Sequence, residues 1–141
     1  MATPQEPASN TATRKCVLIV EDNALNMKLF SAMISAQGYE LLQAEDGSHA
    51  LDLARLRHPD LIIMDLQLPD MSGLDVTHIL KAADDTHEIP IIATTAYALR
   101  TDDGTIRDSG CDAYMAKPIA ISEFLELVES LMMRVTCPQL V

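Results

Sequence analysis

Five polar side chains stand where the apolar pattern of this chain breaks off. Glu21 and Asp22 follow "CVLIV" at 16–20, Asp65 closes "DLIIMD" at 60–65, Thr95 closes "PIIATT" at 90–95, and Lys117 with Pro118 follows "DAYMA" at 112–116. Two carboxylates about 4 Å apart repel by roughly 4 kcal/mol at an effective dielectric of about 20. Three of them brought together would raise one another's pKa or splay apart unless a cation shared the space. Mg²⁺ suits oxygen ligands and binds through one or two carboxylates plus a phosphate. A lysine adds a second positive charge and a threonine adds a hydroxyl donor. Such a set could hold a phosphoryl group on one carboxylate, and carboxylate nucleophiles that form acyl phosphates are established chemistry.

These groups converge only if the elements place them so. Apolar runs of strand length, 16–20, 39–44, 60–65, 90–95 and 112–116, alternate with helical patterns near 23–37, 47–57, 74–83, 98–109 and 121–134. In the first helix Leu29, Phe30, Met33 and Ile34 are expected on one buried face, with Gly38 ending it. Pro59, Pro90 and Pro118 sit at strand edges, where proline is tolerated. Five strands separated by helices predict an α/β fold with a parallel sheet and helices on both faces. Right-handed crossovers leave few topologies. In the order 2-1-3-4-5 the polar strand ends are neighbours at the carboxyl edge, where such sheets bind ligands.

The 141 residues favour one domain, large enough for a core without staples. A net charge of −11 argues against binding nucleic acid and for cations or basic partners. No apolar run approaches the length of a membrane span, and no export signal is visible. Cys16, Cys111 and Cys137 are odd in number and lack metal-site spacing. A reduced, cytoplasmic setting is expected, with Cys16 packed as a small hydrophobe. His49, His58, His78 and His87 lack ligand spacing and are expected at the surface. Residues 1–14, "MATPQEPASNTATR", are expected as a disordered tail and 135–141 as a short C-terminal one.

From about residue 15 to 134 the chain resembles the receiver domain of bacterial two-component response regulators. The resemblance rests on "VEDN" (20–23), "MDLQLPDMSG" (64–73), "TTA" (94–96) and "YMAKP" (114–118), in the right order and spacing. The wording of "VLIVEDNALNMKLF", "AQGYE" and "GCDAYMAKPI" is most similar to single-domain regulators of cell division and polarity. The resemblance implies that Asp65 is the phosphoacceptor, served by a histidine kinase or histidine phosphotransferase. It implies Mg²⁺, with Mn²⁺ as a substitute, held by Asp22, Asp65 and the Gln67 carbonyl, with Glu21 acting through a water. Thr95 and Lys117 would each meet a phosphoryl oxygen, Lys117–Pro118 would be cis, and Tyr114 would be an aromatic switch that follows Thr95. Gln67 and Tyr97 would flank the phosphate and tune dephosphorylation, bulky Tyr97 slowing it. Leu25 and Met27 are either the margin of the core or a docking surface for the phosphodonor. No output domain is visible, so the expected output is protein–protein binding by a monomer or weak dimer, cytoplasmic or recruited to membrane-bound kinases or a cell pole.

Each residue alone has a plainer reading. Glu21-Asp22 could be a solvated helix start, Asp65 a turn residue, Thr95 ordinary strand content and Lys117 surface charge. Other functions on the same architecture fit less well. A phosphatase with an aspartate nucleophile wants a second acid where Gln67 stands. A flavodoxin-type carrier needs a phosphate-cradling first loop, and Glu21-Asp22 would repel that phosphate. A silent adaptor would not need Asp65 and Lys117.

Overall fold

The computed structural model describes residues 15–96 and 110–136, the side chains of 134–136 excepted. The segment 1–14, Tyr97, the helix expected over 98–109, and residues 137–141 lie outside the described residues. Within them the chain runs β1 (Cys16–Val20), α1 (Ala24–Ala36), β2 (Glu40–Ala44), α2 (Gly47–Arg57), β3 (Leu61–Asp65), α3 (Gly73–Ala82), β4 (Ile91–Thr95), β5 (Ala113–Ala116) and α4 (Ile121–Thr136). The strands pair in parallel in the order β2-β1-β3-β4-β5, as expected.

Central parallel strands are covered on both faces and so read as continuous apolar runs. Every residue of β3 and β4 is buried. Successive side chains alternate between faces. Val17, Ile19, Leu61, Ile63 and Ile92 point one way, into a cluster with Phe30 and Ile34 of α1 and Phe124 and Val128 of α4. Leu18, Val20, Ile62, Met64 and Ile91 point the other way, against Ala50 and Ala54 of α2 and Val76 and Leu80 of α3.

Asn23 caps α1 by accepting the Asn26 N–H at 2.9 Å. Gly38, at φ +89°, takes the left-handed conformation that ends it. The buried stripe of α1 differs from expectation. Met27, Phe30, Met33 and Ile34 are buried, whereas Leu29 is 46% exposed. The stripe is centred on the Met27–Phe30–Ile34 row, and Leu29 lies beside it toward solvent. Cys16 is half-buried rather than enclosed; desolvation, then Glu40 and Asp60, push its thiol up to about 11. The four histidines are exposed.

The amino ends of β4 and β5 are joined by one lysine. Lys81 Nζ of α3 donates to the Ile89 carbonyl at 2.7 Å and to Asp112 Oδ2 at 2.9 Å. Asp112 in turn accepts the Ile91 N–H at 2.8 Å. This staple fixes the end of the sheet opposite the acidic residues.

Candidate functional site

Register places the acids. Val20 of β1 pairs with Met64 of β3, so Glu21 and Asp65 emerge side by side at the carboxyl edge. Both lie on the face of the sheet that carries Ile19 and Ile63. Thr95 pairs with Ala116, and the Lys117 N–H continues the ladder to the Thr95 carbonyl at 2.7 Å. The Lys117 side chain then reaches back across the strand ends. Its Nζ lies 2.8 Å from Glu21 Oε1 and 3.4 Å from Asp65 Oδ2. Lys117–Pro118 is cis.

Glu21 and Asp65 are buried, with Asp22 exposed beside them. One carboxylate oxygen from each of the three lies within 4.8 Å of the others. Burial pushes the Asp65 carboxyl up to about 6; the charge of Glu21 adds to the rise, while the Gln67 N–H and Lys117 oppose it. That N–H donates to Asp65 Oδ1 at 3.0 Å. Three carboxylates facing one ammonium leave two negative charges unmatched. An oxygen-rich donor set with that deficit fits a divalent cation such as Mg²⁺.

Other expected residues fall on both faces. Thr95 is buried in β4, and Tyr114 is half-buried in β5 on the same face, opposite to Asp65 and Lys117. Gln67 is exposed in the loop after β3. Leu25 is 74% exposed, whereas Met27 is in the core, so the structure separates the pair.

Three neighbours of Asp65 were not singled out in the sequence. Thr94 is its register partner and projects to the same face, buried, with a hydroxyl that finds no hydrogen-bond partner among the described residues. Gly73 packs so closely that a Cβ there would collide with the Asp65 carbonyl oxygen. The third is Asp70, whose carboxylate leaves the Asp65 loop for another helix. The "MSG" ending of the motif is the signal for Gly73. Thr94 and Asp70 also lie inside the quoted motifs "TTA" and "MDLQLPDMSG", but no spacing or residue type in them singles out either one.

With this sheet order and these polar strand ends, the chain belongs to the response regulator receiver domain family, which matches residues 17–129. It is 53% identical over 116 residues to the polar-differentiation response regulator DivK of Brucella ovis, spanning 82% of this chain and 94% of that protein. Among solved structures it is similar to the receiver domain of a sensor histidine kinase from Pseudomonas aeruginosa PAO1, which has a magnesium ion coordinated in its active site cleft. That likeness has a TM-score of 0.78 and 32% identity, over 85% of this chain and 98% of the other. The signal receiver domain of a histidine kinase from Syntrophus aciditrophicus gives a TM-score of 0.80 at 28% identity, over 86% and 92%.

Proposed function

We propose that Asp65 accepts a phosphoryl group from a histidine kinase or histidine phosphotransferase, and that the new charge switches binding to other proteins in the control of cell division or polarity. The observation that carries this reading is the position of Lys117, whose ammonium lies between Glu21 and Asp65 at 2.8 and 3.4 Å. An ammonium there can offset charge on Asp65 and on a phosphoryl group attached to it.

Asp22, Asp65 and the Gln67 carbonyl would hold Mg²⁺, with Glu21 acting through a water. When bound, the ion offsets charge on the phosphoryl oxygens. An Asp65 carboxylate oxygen attacks phosphorus, the bond from phosphorus to the donor's imidazole nitrogen breaks, and that nitrogen keeps the electron pair. Lys117 meets one phosphoryl oxygen from the face of Asp65, and the Thr95 hydroxyl reaches another by moving over the carboxyl end of β4 from the opposite face. Thr95 and Tyr114 share a face and report the modification by biasing two conformations. Gln67 and Tyr97 set how long the acyl phosphate lasts. The DivK relative supports a role in polar differentiation, with the protein cytoplasmic and recruited to a pole. The protein acts as a phosphoacceptor rather than as a turnover enzyme.

Incubation with Mg²⁺ and acetyl phosphate, followed by intact mass measurement, tests the assignment. The expected result is one phosphate adduct on wild type and none on Asp65→Asn. An adduct of equal yield on the variant would place the acceptor elsewhere.

A further inference from the structure

The loop from Asp65 to α3 carries Gln67 and must hold its shape for that carbonyl to serve a cation. Part of the restraint is internal. Gln67 and Ser72 pair across the loop, and the Gly73 N–H donates to the Leu66 carbonyl at 3.1 Å. The middle of the loop is held from outside, by Asp70. Its Oδ1 accepts the Gly47 N–H at 2.8 Å and its Oδ2 accepts the Ser48 N–H at 3.0 Å. Both donors belong to the first turn of α2.

A helix start leaves its first N–H groups without intrahelical partners and favours negative charge. Asp46, the local cap of α2, already accepts the His49 N–H at 2.8 Å. Asp70 satisfies two further N–H groups from a distant part of the chain, and its carboxyl is held below the usual carboxylate range by these bonds, the Gly47 N–H foremost. The packing beneath is tight. A Cβ on Gly47 would meet Met71 Cγ at 2.5 Å and Val76 Cγ2 at 2.9 Å. The loop therefore sits directly on the start of α2.

We infer that Asp70 is a positioning residue: by gripping the first turn of α2 it fixes the loop that presents Gln67, and it couples that turn to cation binding at Asp65. The inference rests on the proposed metal site. The Gln67 N–H already reaches Asp65 Oδ1, so movement at Asp70 is passed along a short segment to the acceptor itself. Coupling between two sites is reciprocal. A cation at Asp65 holds the loop, and the loop then protects the Gly47 and Ser48 N–H groups from local opening.

Amide hydrogen exchange by NMR with and without saturating MgCl₂, together with calorimetric Mg²⁺ titration, tests this on the full chain. In wild type, Mg²⁺ is expected to slow exchange at Gly47 and Ser48 by about fivefold or more. In Asp70→Ala that protection disappears and the Mg²⁺ dissociation constant rises by about fivefold. Asp70→Asn keeps one acceptor oxygen, gives an intermediate effect, and carries the test if the alanine variant does not fold. Ser72→Ala serves as control. It removes the Ser72 Oγ that accepts the Leu74 N–H, a cap on α3 from the same loop that does not touch α2. The control is expected to leave exchange at Gly47 and Ser48 sensitive to Mg²⁺.

An unchanged Mg²⁺ affinity in Asp70→Ala overturns the inference and leaves Asp70 a structural cap. Indifference of the wild-type Gly47 and Ser48 amides to Mg²⁺ overturns it too, as does a wild type that binds no Mg²⁺. A wild type that binds Mg²⁺ with the expected protection but takes no phosphate overturns only the acceptor reading.

Discussion

Asp65 lies between opposing demands. In the proposed function its carboxylate would have to be charged to attack phosphorus, yet burial and the neighbouring Glu21 favour the protonated form, raising the pKa from 3.8 to about 6. The sign of the effect on stability follows. A folded-state pKa above the unfolded value means that the folded protein holds the proton more tightly. The stabilising contribution of protonated Asp65 is complete below pH 3.8 and is lost as pH rises through about 6. In metal-free buffer at about pH 7.5, Asp65→Asn is therefore expected to melt above wild type, because it removes a buried charge. The difference narrows as pH falls toward 3.8, which circular dichroism melts across the range would follow. A variant that melts below wild type at neutral pH would contradict the electrostatics described for the site. Added Mg²⁺ is expected to raise the wild-type melting temperature more than that of the variant.

The strands were legible because their physics is simple. β1, β3 and β4 are buried on both faces, so composition alone marks them, and the polar residue that ends each run marks the carboxyl edge. Leu29 was misplaced because α1 has apolar residues on two rows, and period alone does not say which row the sheet covers. Leu25 and Leu29, one turn apart, form the exposed row. Asp70 illustrates another limit. Its partners lie 22 and 23 residues earlier, and no local pattern encodes a cap supplied from another loop. The staple at Lys81 was equally invisible, since a lysine near a helix end reads as surface charge. Lys81→Met keeps the aliphatic stem and removes the ammonium that bridges α3, the Ile89 carbonyl and Asp112. It is expected to cost about 1–2 kcal/mol in urea unfolding. Phosphorylation by acetyl phosphate should remain close to wild type, because the staple is at the far end of the sheet from Asp65. A variant as stable as wild type would show that the ammonium adds nothing to the fold.

The two helical layers close the sheet into one unit, and α4 is the last of the described helices to pack against it. Phe124 of α4 is fully buried and meets Phe30 of α1 with ring centroids 5.4 Å apart and a tilt of 50°. Phe124→Ala is expected to cost about 3–5 kcal/mol, the usual penalty for emptying an aromatic site in a core. That is a large share of the total stability of a domain, about 5–15 kcal/mol. Urea titration would measure it, and a loss under about 1 kcal/mol would mean that α4 is not integral to the core. Right-handed crossovers left few sheet orders, and 2-1-3-4-5 is one that makes the polar strand ends neighbours. What the order creates is a span. Lys117 departs from the outermost strand, passes the end of β4, and comes to rest on the carboxylates of β3 and β1. The rim of the sheet and its middle are thereby yoked by a single ammonium. If Asp65 is the acceptor, a charge added there would pull on or release that ammonium, and with it the strand that carries Tyr114.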